Sequence, residues 1–180
     1  MEIERYLALR SVVHERGYGE EYEWAQTMTI CENADEFWTQ YAWVVISSGL
    51  KNQVARSVWA KVKDAIDHKV PVATVFGHAG KSAAIETGYK NRHAMLAGFL
   101  AAQDKLTYLE SLPYIGGITK FHLARDLGLD CAKPDRHLVR IAAQYGMTTD
   151  AMCRKLSLET GDRIGAVDIV IWRAANLGLV

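Results

Sequence analysis

Apolar residues recur at three- and four-residue intervals along most of the chain, and no segment alternates apolar and polar residues as a half-buried strand would; the pattern predicts an all-α protein. A first amphipathic helix is expected over about Ile3–Glu15, ending near Gly17 and Gly19. A second starts after Asp35 as N-cap, carries Phe37, Tyr41, Val44 and Val45, and stops at Gly49. A third, from Asn52 to about His68, puts Val54, Val58, Val62 and Ile66 on one stripe, with Lys51, Arg56, Lys61, Lys63 and Lys69 in or beside it. A short helix is expected around Ser82–Thr87 and a longer one from Asn91 to Ser111. Four more fit about Gly117–Leu127, Asp135–Gln144, Thr149–Thr160 and Gly165–Leu177. No linker, repeat or low-complexity tract divides them, so one domain over residues 1–180 is expected.

With 49% hydrophobic and 23% charged residues and only three prolines, the composition excludes disorder and collagen. Cys31, Cys131 and Cys153 form neither an even set nor a C-x-x-C pair, and so read as free thiols in a reducing cytoplasm without a zinc or iron–sulfur ligand set. No apolar run approaches the ~20 residues of a membrane span, and the start MEIERYLALR mixes charges with apolar residues, unlike a secretory signal; no membrane partner is expected. The zero formal net charge argues against indiscriminate adhesion to nucleic acid, but it hides an asymmetry. Residues 1–36 hold nine acids against three arginines, a local net of −6, so residues 37–180 carry +6 and part of the surface suits phosphates.

Three segments bear on chemistry. Gly77-His-Ala-Gly80-Lys81-Ser82 evokes a phosphate loop, but that motif needs a glycine at 75, where Val75 stands; a helix-start loop with an exposed Lys81 is the expectation. Leu112-Pro113-Tyr114-Ile115-Gly116-Gly117-Ile118-Thr119 lies between two predicted helices. It reads either as a plain turn between helices or as a bend whose exposed amides receive a phosphate, Gly116 and Gly117 permitting close approach. Sixteen residues after Thr119 sits Asp135: Pro134 biases Lys133 towards an extended conformation and Asp135 begins a helix, where the dipole favours a negative charge; alone, Asp135 reads as a cap.

Together these pieces resemble the helix-hairpin-helix DNA glycosylase superfamily, the group of endonuclease III. The family's L-P-G-V/I-G hairpin is matched by LPYIGGITK, and its V-D-T-H-V-x-R turn, which carries the catalytic Asp, by PDRHLVR. TGYKNRHAML at 87–96 and WVVISSGLKNQVARSVW at 43–59 look like two upstream family segments, so the likeness covers about residues 40–146, with the hairpin unit at about 104–128.

The resemblance implies DNA as partner, a nucleotide turned out of the helix, and Asp135 stabilising positive charge on the sugar or orienting water. Pro113, Tyr114, Ile115, Gly116, Gly117, Ile118, Thr119 and Lys120 would grip the backbone, with Lys51 and Asn52 upstream. A monovalent cation, K+ or Na+, would sit on the main-chain carbonyls of Glu110, Leu112 and Ile115, which water could equally cap; no other cofactor is implied. Aromatics that stack on the extruded base would be drawn from Trp24, in a segment without a clear apolar stripe, and Tyr41; most aromatics here are expected in the core.

Departures shape the reaction. Ile118 stands where bifunctional members place a Schiff-base Lys, which points to a monofunctional glycosylase, and Lys120 is expected to meet phosphate or solvent. Tyr114 replaces the first hairpin Gly, and Gly49 the Gln that fills the gap left by the extruded base. The departures fit a second reading: the distant phage relatives that attach an amino acid or amine to activated 5-hydroxymethyluracil in DNA. There Asp135 would activate the amine, while Lys133, Arg136, His137 or Arg140 would serve the reacting groups and the leaving phosphate, in a host cytoplasm. A third reading is a non-catalytic DNA-binding module in which Asp135 only caps its helix.

Overall fold

A computed structural model describes residues 1–180 and bears out the all-α expectation, with helices and turns throughout and no strand. In chain order the helices are α1 (Ile3–Val13), α2 (Gly19–Thr27), α3 (Ala34–Ser47), α4 (Asn52–Asp67), α5 (Ala79–Lys90), α6 (Arg92–Ala101), α7 (Lys105–Glu110), α8 (Thr119–Asp126), α9 (Arg136–Ala143), α10 (Thr149–Thr160) and α11 (Ile164–Asn176). The chain forms two compact units, Met1–Ile30 with Ala124–Val180, and Cys31–Leu123. No composition shift marks the second boundary because it falls inside α8, where helical patterning continues through it.

The discontinuous unit packs α1 and α2 on α9, α10 and α11. Tyr6, Leu9, Val13, Leu138, Ile141, Met152, Leu156, Val167, Val170 and Ile171 share one core. The expected first helix is cut short: a π-helical turn, His14–Tyr18, follows α1, and Gly17 at φ +85° turns the chain into α2. A buried carboxylate holds this corner: Asp162 accepts the hydroxyls of Tyr6 at 2.6 Å and Tyr22 at 2.7 Å, and pairs with Arg10 at 2.8 Å. Close to this carboxylate and out of water, the Tyr6 phenol is pushed far above its ordinary pKa, first by burial and then by the hydrogen bond.

The continuous unit is built around α3. Phe37 and Phe99 rings lie 5.6 Å apart, Trp38 meets Trp59 at 5.8 Å and Tyr89 edge-on at 5.0 Å, and the Trp38 indole N–H donates to the Ile85 carbonyl at 3.1 Å. Gly88 is where α5 meets this cluster, since a Cβ there would stand 2.8 Å from the Tyr41 ring.

Local chemistry moves several helix ends from their expected places. Asn33, not Asp35, caps α3: its Oδ1 accepts the N–H groups of Asp35 at 2.9 Å and Glu36 at 3.0 Å, leaving Asp35 inside the first turn to pair with Arg92 at 2.5 Å. Asn33→Ala should therefore lower stability by about 1 kcal/mol, while Asp35→Ala, whose carboxylate is largely in water, should cost under about 0.5 kcal/mol; chemical denaturation measures both. The long helix predicted over 91–111 breaks after Ala101, because Asp104 caps α7 through the Thr107 N–H at 3.1 Å and hydroxyl at 2.7 Å. On α4 the buried face runs through Ala55, Val62 and Ala65, whose small side chains permit close packing, and Val54, expected on the stripe, is 48% exposed.

Candidate functional site

The hairpin occupies the end of the continuous unit. After α7 the Ile115 N–H donates to the Leu112 carbonyl at 3.1 Å, closing a tight bend, and the buried Ile115 side chain anchors it. Tyr114, at the position of the family's first glycine, adopts φ +64°, a left-handed backbone that costs a non-glycine residue roughly 1 kcal/mol. The Thr119 hydroxyl accepts the Gly116 N–H at 2.7 Å, and the Gly116 carbonyl accepts the Lys120 N–H at 2.9 Å, starting α8. The N–H groups of Gly117, Ile118 and Thr119 then meet no acceptor in the protein, and Gly117 and Ile118 are exposed.

Two expected contacts change character. Tyr41 is not a stacking platform: it is 1% exposed and its hydroxyl donates to the Pro113 carbonyl at 3.0 Å, so it ties the hairpin to α3, and burial pushes its pKa up to about 12. Lys120 is not a loose cation: its ammonium pairs with Glu110 at 2.5 Å and lies 5.5 Å from the Phe121 ring centre. Upstream, Lys51 and Asn52 are both exposed at the start of α4, where Asn52 accepts from Arg56 at 3.0 Å. Gly49 sits at φ +82° with open space where a side chain would stand.

In the discontinuous unit, Asp135 is half-buried and caps α9, its Oδ1 accepting the N–H groups of His137 at 2.9 Å and Leu138 at 3.1 Å. Its Oδ2 accepts no hydrogen bond. The amphipathic α9 buries Leu138, Ile141 and Ala142, which fixes the angle at which Asp135 leaves the helix. Arg136 and Arg140 are exposed, Arg140 donating to the Val180 carbonyl at 3.2 Å, and His137 is half-buried.

Behind Asp135 lies a buried charge cluster that sequence reasoning missed. Asp168, 2% exposed in mid-α11, accepts the Lys133 N–H at 2.5 Å and stands 3.6 Å from the Arg125 guanidinium, which also faces Asp126 at 3.4 Å. Burial raises the Asp168 pKa to about 6, against the opposing pull of Arg125. Burial and then Arg125 lower the pKa of the Lys133 ammonium, and burial and then Asp168 push the Cys131 thiol up to about 12, leaving it protonated and inert. The signal was present in the sequence as a lone acid within the apolar run Ile164-Gly-Ala-Val-Asp168-Ile-Val-Ile171. Trp24 joins the same cluster: it is 38% exposed, and the Arg125 guanidinium lies 6.0 Å from its ring centre.

The structure thus brings Trp24, Arg125, Asp168, Lys133 and Asp135 into one chain of contacts within one unit, and it gathers the hairpin residues with Tyr41 in the other. No helix is long and apolar enough to cross a membrane. The chain matches no protein-family model, no curated protein and no solved structure.

Proposed function

We propose that the chain is a DNA-base-acting enzyme similar to the helix-hairpin-helix glycosylases, in which Asp135 is the central carboxylate and the hairpin holds the DNA backbone. The observation that carries this reading is the half-buried Asp135, pinned at Oδ1 by two backbone N–H groups while Oδ2 makes no hydrogen bond. A carboxylate needed only as a cap gains nothing from the charges behind it. One that stabilises a cationic sugar gains from being fixed before the reaction, since its dipole then needs no reorganisation.

In this reading Oδ2 faces the anomeric carbon or the attacking water. Lys133, positioned through its own N–H on Asp168, contributes a positive charge to an anionic leaving group. Trp24 offers a partly exposed ring for the extruded base. The hairpin's amides at Gly117, Ile118 and Thr119 would receive a backbone phosphate, and the left-handed φ at Tyr114, a backbone that glycine adopts most readily, is compatible with the same reading. A monovalent cation would be held by the carbonyls of Glu110, Leu112 and Ile115; Leu112 already accepts one N–H and keeps its second lone pair for such an ion, which would stiffen the bend.

The transferase reading is favoured by Ile118, 53% exposed and without an amine, and by the half-buried Lys133, two residues before Asp135, as an ammonium for a departing phosphate. Incubation with DNA containing damaged bases, uracil or phosphorylated 5-hydroxymethyluracil, with amino acids and amines supplied, followed by nucleoside mass spectrometry, separates the readings. Glycosylase action yields abasic sites and a free base, and transfer yields a heavier intact nucleoside. Neither product with any substrate would leave only a binding module.

A further inference from the structure

Lys81 lies where the sequence suggested a failed phosphate loop and a solvated side chain, yet it is 9% exposed. Its ammonium donates one hydrogen bond, 2.7 Å long, to the Ser48 carbonyl. No carboxylate pairs with it, and loss of solvent alone lowers its pKa. A buried ammonium with a single neutral acceptor is held at a cost, because ions out of water are normally matched by an opposite charge. Arg92 and Lys120, the more exposed cations of the same unit, each have such a match, in Asp35 and Glu110.

The surroundings of Lys81 come from three separate segments. The Ser48–Gly49 turn supplies its acceptor, and Gly49 is exposed at φ +82°. The loop before α5 supplies His78, exposed, whose Nδ1 accepts the Lys81 N–H at 3.3 Å. The hairpin supplies Tyr114, 45% exposed: its ring meets His78 edge-on at 5.8 Å, and its hydroxyl lies so close to Gly80 that a Cβ there would be 1.9 Å away. Left-handed corners at Gly49 and Tyr114 and an exposed imidazole thus lie around one buried, unmatched cation, with no acid among them.

We propose that Lys81 is the ammonium ligand of a DNA phosphate that enters between the Ser48–Gly49 turn and the Tyr114 corner of the hairpin. The inference rests on the DNA-binding reading above and adds to it a contact outside the hairpin. A phosphate supplies the charge that the site lacks and enough acceptor oxygens for the two N–H bonds that Lys81 has to spare. A lysine serves as a point charge here, and its four-carbon stem lets the ammonium move from the Ser48 carbonyl to a neighbouring oxygen.

The test is the salt dependence of binding of the full chain to a fluorescein-labelled duplex between 50 and 300 mM KCl. Lys81→Gln should weaken binding about 5- to 10-fold at the low-salt end and reduce the slope of log K against log salt by about 1, whereas Lys81→Arg keeps the slope. A lysine that only braces the Ser48 turn would not change the number of released counterions. Should Lys81→Gln unfold, as thermal melts would reveal, acetylation of the wild-type chain with and without duplex, read by peptide mass spectrometry, decides instead: the duplex should protect Lys81. An unaltered slope in a folded Lys81→Gln chain, or acetylation of Lys81 indifferent to duplex, overturns the assignment while the DNA reading stands. A wild-type chain that binds no duplex at any salt overturns both.

Discussion

Asp135→Asn is expected to lower turnover on the substrate DNA by 10²- to 10⁴-fold while leaving duplex affinity within about 3-fold. Asparagine is nearly the same shape, and its Oδ1 still accepts the N–H groups of His137 and Leu138, so α9 keeps its cap. What is lost is the negative charge and the acceptor at Oδ2, now an NH2 group. A cationic transition state loses its counter-charge, and an incoming water or amine loses the group that orients it. Both enzymatic readings therefore predict the same collapse, and single-turnover assays with affinity measured in parallel check it. If turnover survives at the wild-type rate, Asp135 is a cap and nothing more.

Asp168 should dominate the stability of its unit. Asp168→Val leaves the Lys133 N–H without an acceptor and Arg125 with one carboxylate instead of two, and should cost about 3–5 kcal/mol. Asp168→Asn keeps an acceptor for Lys133 and should cost only about 1 kcal/mol. Wild type and Asp168→Asn also differ in pH dependence. Folded Asp168 holds its proton up to about pH 6, whereas the unfolded chain releases it near the ordinary 3.8. Between those values the native state binds a proton that the unfolded state does not, so stability falls as pH rises from about 4 to 6, by up to about 3 kcal/mol, and is flat above. Relative to wild type, Asp168→Asn should lack this component, and the difference between their denaturation midpoints across pH 4–7 measures it. Parallel curves would mean that Asp168 titrates normally. Because Asp168 holds the turn that presents Asp135, Asp168→Val should also reduce turnover, in proportion to the loss of that turn's order.

Much of the layout was readable because it depends on near neighbours. α10 lies where the apolar spacing places it, with the structure showing Thr148 as its cap, and Asp135 caps α9 because Pro134 holds the preceding residue extended and the acceptor lies two and three residues from its donors. The left-handed corner at Tyr114 follows from the bend around it, although only the resemblance drew attention to that position. Helix α2 escaped because its apolar content is thin, and the break before α7 because a lone Asp cap is a weak signal against a continuous apolar pattern.

The residues that were misread or missed are those whose surroundings come from distant parts of the chain. Tyr41 has its partner 72 residues away at Pro113, Lys81 has its acceptor 33 residues back at Ser48, and Asp168 meets Lys133 35 residues earlier. Helical period, chain breaks and caps are local, set by backbone sterics and hydrogen bonds within a few residues, and so the amino-acid order alone determined them. Burial of a charge, the pairing of cations with acids and the division into two cores depend on which surfaces meet after the chain has turned back on itself, and only the tertiary structure decided those.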